Sequence, residues 1–76
     1  MPTVVLHPKK EQRVYSGHPW VFRSDIDRVE GPRQDGDVVR VVSSRGRFLA
    51  MAVYNPRSQI SLRILSRKEE PIDSAF

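Results

Sequence analysis

The chain has no cysteine among its 76 residues, which excludes both disulfide staples and a thiolate metal site. Histidine is nearly as scarce. His7 and His18 stand apart, without carboxylates at ligand spacing, which argues against a structural zinc ion. The glycines number four, and none sits in a Gly-rich loop that follows a strand and opens a helix, so no dinucleotide or phosphate cradle is encoded. No apolar run approaches the roughly 20 residues needed to span a bilayer. Met1-Pro2-Thr3 leads straight into a strand-like segment rather than a signal peptide, so the expected compartment is the cytoplasm. The apolar fraction, 38%, is low but supplies one modest core of Val, Ile and Leu. This length allows one domain, and a domain this small buries only about 60% of the surface of its unfolded chain.

What the chain does have is positive charge. Thirteen basic against nine acidic residues give a net charge of +4 and a pI near 10.1. Most of the basic residues are Arg, whose planar fork grips phosphate bidentately and stacks on bases. A small Arg-rich domain fits the electrostatic footprint of a nucleic-acid binder. A GC-rich genome or a warm-living source also raises Arg content, so composition leaves both readings open.

The rarer residue types collect in Gly17-His18-Pro19-Trp20-Val21-Phe22, which holds the single Trp. A backbone that bends sharply there can offer main-chain N–H groups to a ligand. The alternative is a tight turn beside a core Trp.

Upstream, Thr3 to His7 reads as a strand ended by Pro8, and Lys9 to Ser16 as a brief helix stopped by Gly17, with Val14 and Tyr15 inward. Pro19 to Ile26 is ambiguous between a helical turn and an extended piece. Asp25 to Val29 reads as a strand and Glu30 to Gly36 as a loop. Asp37 to Ser43 is a Val-rich strand, Ser44-Arg45-Gly46 a turn, and Arg47 to Tyr54 a strand apolar on both faces, hence central. Asn55 to Ser58 is a turn. In Gln59 to Ser66, Ile60, Leu62 and Ile64 point in while Ser61 and Arg63 point out. The result is a mixed, β-rich α+β chain forming a small sheet or barrel. At the C-terminus, Glu69 to Asp73 resembles a helix start, with Ile72 and Phe76 at amphipathic spacing. This suggests that a longer protein continues, although a short tail capping the sheet also fits.

Catalysis finds little support. Ser16 and His18 are close in sequence, but one such pair is a weak signal. Asp25 and Asp27 would share a strand face, flanked by Ser24 and Arg28, and read as solvated. Binding is better supported. Arg45 and Arg47 flank Gly46, Arg40 and Arg63 occupy outward strand positions, and Lys9, Lys10 and Arg13 lie on the helix ahead of Gly17. If helix, turn and last strand meet, they form a basic ledge beside open N–H groups, suited to an RNA backbone. Singly, each Arg also reads as a solvated side chain paired with Glu30, Asp35 or Asp37.

The ordered signals are Gly17-His18-Pro19-Trp20-Val21-Phe22-Arg23-Ser24-Asp25-Ile26, then Gly36-Asp37-Val38-Val39, Arg45-Gly46-Arg47-Phe48-Leu49-Ala50, and Asn55-Pro56-Arg57-Ser58-Gln59-Ile60 running into Leu62-Arg63-Ile64-Leu65-Ser66. From about Val4 to Phe76 this resembles the N-terminal PUA domain of the S-adenosylmethionine-dependent large-subunit ribosomal-RNA cytosine-C5 methyltransferase family. The resemblance implies a pseudo-barrel of about six strands with one or two short helices. It implies RNA contact through the Gly-containing loop after the first helix, here Ser16-Gly17-His18, and through the last strand, here Ile60 to Leu65. With the charge pattern, this gives Lys10, Arg13, Ser16, Gly17, His18, Arg23 and Arg63 as RNA-binding candidates. Arg13, Arg23 and Arg63 would contact phosphate, Gly17 would supply the bend, and His18 would hydrogen-bond or stack. Trp20 and Phe22 are assigned to the core. Residues 1–68 would be the domain, and 69–76 the start of a linker to a methyltransferase region. The expected partners are structured, ribosomal RNA and that downstream domain, with no membrane, metal, cofactor or catalytic residue in this chain. S-adenosylmethionine would serve the parent protein. The alternative is an interaction module that docks on its own catalytic domain with little RNA contact.

Overall fold

Alternating Val, Ile and Leu set the strand faces, and Gly, Asn and Pro set the turns, in a computed structural model that describes residues 2–31, 34 and 36–67. In chain order the elements are β1 (Thr3–Leu6), α1 (Gln12–Tyr15), β2 (Trp20–Phe22), a 3₁₀ turn (Arg23–Asp25), β3 (Ile26–Glu30), β4 (Val38–Val42), β5 (Phe48–Tyr54) and β6 (Ile60–Ser66).

The second half is an antiparallel meander. β4 pairs with β5 through Val39↔Ala52 and Val41↔Ala50, and β5 pairs with β6 through Ala52↔Ile64 and Tyr54↔Leu62. The β4–β5 turn is braced by Ser43, whose Oγ accepts the amides of Arg45 and Arg47 at 3.3 and 3.1 Å. At the β5–β6 turn, Asn55 Oδ1 accepts the Arg57 amide at 3.2 Å, the local bond for which Asn is favoured in turns. β5 is central and buried along most of its length, as its two apolar faces require.

The first half closes this meander into a curl. β1 pairs antiparallel with β3 and parallel with β4, and β2 pairs antiparallel with β6. The sheet order is therefore β2-β6-β5-β4-β1-β3. Consecutive strands β2 and β3 thus lie at opposite edges. Laid flat, the edges would stand about 24 Å apart, five interstrand spacings of roughly 4.8 Å. Phe22 and Ile26 are four Cα steps apart, a reach of about 14 Å at most. The sheet must curl until its edges approach, which gives, among the described residues, a six-stranded half-barrel with one short helix. The 3₁₀ turn spans the seam. The Arg23 amide donates to Gln59 O at 2.8 Å on one side, and Asp25 O accepts the His7 amide at 2.9 Å on the other. Inside the curl, Val4 and Leu6 of β1, Val14 of α1, Val21 of β2, Val41 of β4 and Leu62 of β6 form one core with Ala50 and Ala52.

Several expectations are corrected. The helix is shorter than Lys9–Ser16; Lys9 and Lys10 lie in the turn before it. Tyr15, expected inward, is 50% exposed, because a four-residue helix buries only Val14. Trp20, expected in the core, is 40% exposed, since edge strand β2 has only three residues and Val21 takes the inward position. Asp25 is not solvated but 2% exposed, folded into the 3₁₀ turn rather than strung along a strand with Asp27. Ser61 is buried, its hydroxyl donating to Ser58 O at 3.0 Å. The helix start at 69–73, the Ile72–Phe76 stripe, the boundary at residue 68 and any pairing of Asp35 lie outside the described residues.

Candidate nucleic-acid interface

The end of α1 shapes the site. Gly17 adopts φ +89, a left-handed conformation costly for a residue with a Cβ. The chain then closes a Schellman motif: the Gly17 amide donates to Val14 O at 3.1 Å and the His18 amide to Arg13 O at 3.0 Å. The Trp20 amide donates to His18 Nδ1 at 3.4 Å, and Pro19 has no N–H. The open N–H groups expected at this turn are therefore already bonded. What the loop offers a ligand is side chains.

Helix, turn and last strand do meet. Trp20 stands opposite Arg63 in the β2–β6 register, and the Ile64 amide donates to Pro19 O at 2.8 Å. Arg67, just past β6, clamps the junction: Nη1 donates to Val14 O at 2.9 Å and Nη2 to His18 O at 3.1 Å. Sequence reasoning missed Arg67. Its one signal is a cation at the end of a strand, and only the β2–β6 pairing carries it to the helix carbonyls.

The other candidates separate by what already holds them. Arg13, expected to face outward, is held against the fold. Its Nε lies 3.5 Å from Asp25 Oδ2, and its guanidinium carbon is 4.5 Å from the Phe22 ring centroid. Asp25 Oδ2 also accepts the Phe22 amide at 3.3 Å, so Arg13, Asp25 and Phe22 form a half-buried brace. The Ser16 hydroxyl turns back onto Gln12 O at 2.5 Å, so it is not poised beside His18 as a nucleophile. Arg23 Nη1 reaches Pro56 O at 3.4 Å from an exposed position. On β3, hydrogen bonds to Glu30 first, then to Asp27, hold the Arg28 guanidinium above its usual pKa. Arg63 and Lys10 are exposed and have no ion pair with any described residue.

At the loop this leaves His18 edge-on to Trp20, with centroids 5.9 Å apart and planes at 67°, beside the free guanidinium of Arg63. An exposed indole with a cation on the neighbouring strand can stack an unpaired base and hold its phosphate. Among the described residues, no group of three or more His, Asp or Glu could hold a metal ion, and no helix is long and apolar enough to cross a membrane.

A curled six-stranded sheet with one short helix defines the PUA-like class of domains. The chain belongs to the PUA-like domain family, which matches residues 4–67. It is 41% identical over 75 residues to a ribosomal RNA large subunit methyltransferase I of Vibrio cholerae, covering 99% of this chain and 19% of that protein. The methyltransferase I of Tolumonas auensis is 39% identical over 75 residues, again covering 19% of the relative. The chain thus spans about a fifth of the length of the curated relatives it matches. Among solved structures, a conserved PUA domain protein from Thermoplasma acidophilum superposes with a TM-score of 0.72 at 21% identity, over 90% of this chain and 50% of that one. SMU.776, a methyltransferase candidate solved in complex with SAH, gives 0.75 at 17% identity, over 99% of this chain and 19% of that one. At these identities the likeness shows the fold.

Proposed function

We propose that this chain is the RNA-binding domain of a ribosomal RNA methyltransferase, set at its N-terminus, and that it holds structured ribosomal RNA for methylation by a separate domain. The observation that carries this is the α1–β2 loop clamped onto β6, which sets His18, Trp20 and unpaired Arg63 on one surface. It supports RNA contact through the loop and strand that the family resemblance implicates. The names of the relatives support the ribosomal substrate.

In this reading residues 1–68 are the domain, and 69–76 begin the linker to the methyltransferase region. The parent uses S-adenosylmethionine in the cytoplasm to methylate C5 of a cytosine. The target base must leave its stack to be modified, which the separate domain handles. This chain's residues do not fit the cofactor, since there is no Gly-rich loop between strand and helix and the one described helix has four residues. The chain's own role is to bind and orient RNA. Arg63 and Arg23 meet phosphates, Trp20 and His18 meet an unstacked base, Lys10 adds field at the rim, and Gly17 and Ser16 shape the turn.

Fluorescence anisotropy with an RNA stem–loop across a salt series tests this. With about three or four phosphate contacts, log K is expected to fall with log salt at a slope of about −2 to −4. Arg63→Glu should weaken binding without unfolding the chain, and Arg28→Ala, on the opposite edge strand, should leave it within about twofold. A flat salt response, or equal losses from the two variants, would favour docking on a catalytic domain instead. Heat on titration with S-adenosylmethionine at micromolar affinity would refute the division of labour.

A further inference from the structure

Beside α1 lies a cavity of about 330 Å³, lined by Pro8, Glu11, Tyr15, Ser44, Arg45 and Arg47 among others. Its walls are tied together. The Ser44 amide donates to Glu11 Oε2 at 3.2 Å, joining the β4–β5 turn to the start of α1. Ser43 Oγ fixes the amides of Arg45 and Arg47. Among the described arginines, only Arg45, Arg47 and Arg63 have side chains without a hydrogen bond, ion pair or ring contact. Two of those three line this one cavity. Glu11 offsets one of their two charges, so the cavity keeps a net positive charge. Tyr15 forms part of the wall and is half exposed.

We propose that this cavity is a second nucleotide site, in which Arg45 and Arg47 hold backbone phosphate and the Tyr15 ring stacks an unpaired base. The inference rests on the RNA-binding reading above and extends it. Tyr15 is the last residue of α1, and Gly17 and His18 follow within three residues, so the Tyr15 wall of the cavity and the loop of the first site are neighbours along the chain. An exposed aromatic ring between free cations suits a single-stranded segment, because every base has a face to stack and every nucleotide a phosphate. A protein partner is less well matched, since Pro8 and the Tyr15 ring are the main apolar surfaces named among the lining residues.

The test compares two RNAs by anisotropy: a stem–loop, and the same stem–loop with a single-stranded extension. The parent chain should bind the extended RNA more tightly. Arg45→Ala/Arg47→Ala should erase that advantage and make the salt slope shallower by about 1.4, at roughly 0.7 per single-strand phosphate. Tyr15→Ala should weaken the extended RNA by about fivefold or more and leave the short one unchanged. Circular dichroism checks that each variant is folded; should Tyr15→Ala unfold, the double Arg variant alone decides. If the double variant binds both RNAs like the parent while Arg63→Glu weakens both, this site is refuted and the loop–β6 reading stands. Failure of the parent to bind either RNA refutes both.

Discussion

Replacing Arg13 with Met isolates the polar brace at the barrel seam. The Met stem can still lie on Phe22, but Asp25, 2% exposed, keeps only the Phe22 amide as a partner among the described residues. Removing one member of a buried ion pair costs about 3–5 kcal/mol, because the remaining charge is desolvated and uncompensated. The lower end applies here. The Arg13 side chain is 34% exposed, so water reaches the carboxylate once the guanidinium is gone, and about 3 kcal/mol is expected. The reverse change, Asp25→Asn, keeps the shape and the acceptor for Phe22 and frees Arg13 to water, at about 1–2 kcal/mol. A 76-residue domain has about 4–11 kcal/mol in all, so both losses are measurable and the first is severe. At about 4–8 °C per kcal/mol, Arg13→Met should melt about 12–24 °C below the parent. Thermal and urea melts followed by circular dichroism give the comparison. Arg13→Met within about 3 °C of the parent, or Asp25→Asn worse than Arg13→Met, would refute the reasoning. Where Arg13→Met remains folded, its RNA salt slope should match the parent's, since a brace makes no phosphate contact.

Trp20→Ala should cost about 1 kcal/mol, well short of the roughly 3–5 typical of a core aromatic, and should weaken RNA binding; the parent's indole emission should be red-shifted and quenched by RNA, and a large stability loss would return Trp20 to the core. Arg67→Ala removes two charge-assisted bonds to Val14 O and His18 O and should cost about 1–3 kcal/mol. Hydrogen exchange should show the Gly17 and His18 amides losing protection before those of β5, and uniform loss would refute the clamp.

The β4–β5–β6 meander was legible because alternating apolar residues and Gly46 and Asn55 turns are local signals. Gly17 was legible for the same reason: a helix that must stop announces where. The sheet order was not, since the parallel β1–β4 pair and the β2–β6 pair join segments with no shared pattern. Trp20 shows that rarity is a poor guide to burial: on a three-residue edge strand, inward position passed to Val21. Asp25 was misread because Ser24 and Arg28 make its neighbourhood look solvated, while its partner Arg13 sits far upstream. The ledge of helix, turn and last strand was foreseen, yet its chemistry shifted. The amides are consumed by the Schellman motif, Arg13 by Asp25 and the Ser16 hydroxyl by Gln12, leaving Arg63 with the exposed rings.

The strand order also governs when the candidate surface comes into being. As the chain is synthesised, β1 can find β3 early, but β2 has no partner until β6 has been made. Such pairing between distant segments is slow, because chain closure costs entropy before any contact repays it. Until then α1 lacks the Arg67 clamp, and the loop from Gly17 to Pro19 has nothing to rest on. The candidate surface is thus the last part of the domain to assemble, and a partly made or partly folded chain does not yet present the loop and strand together.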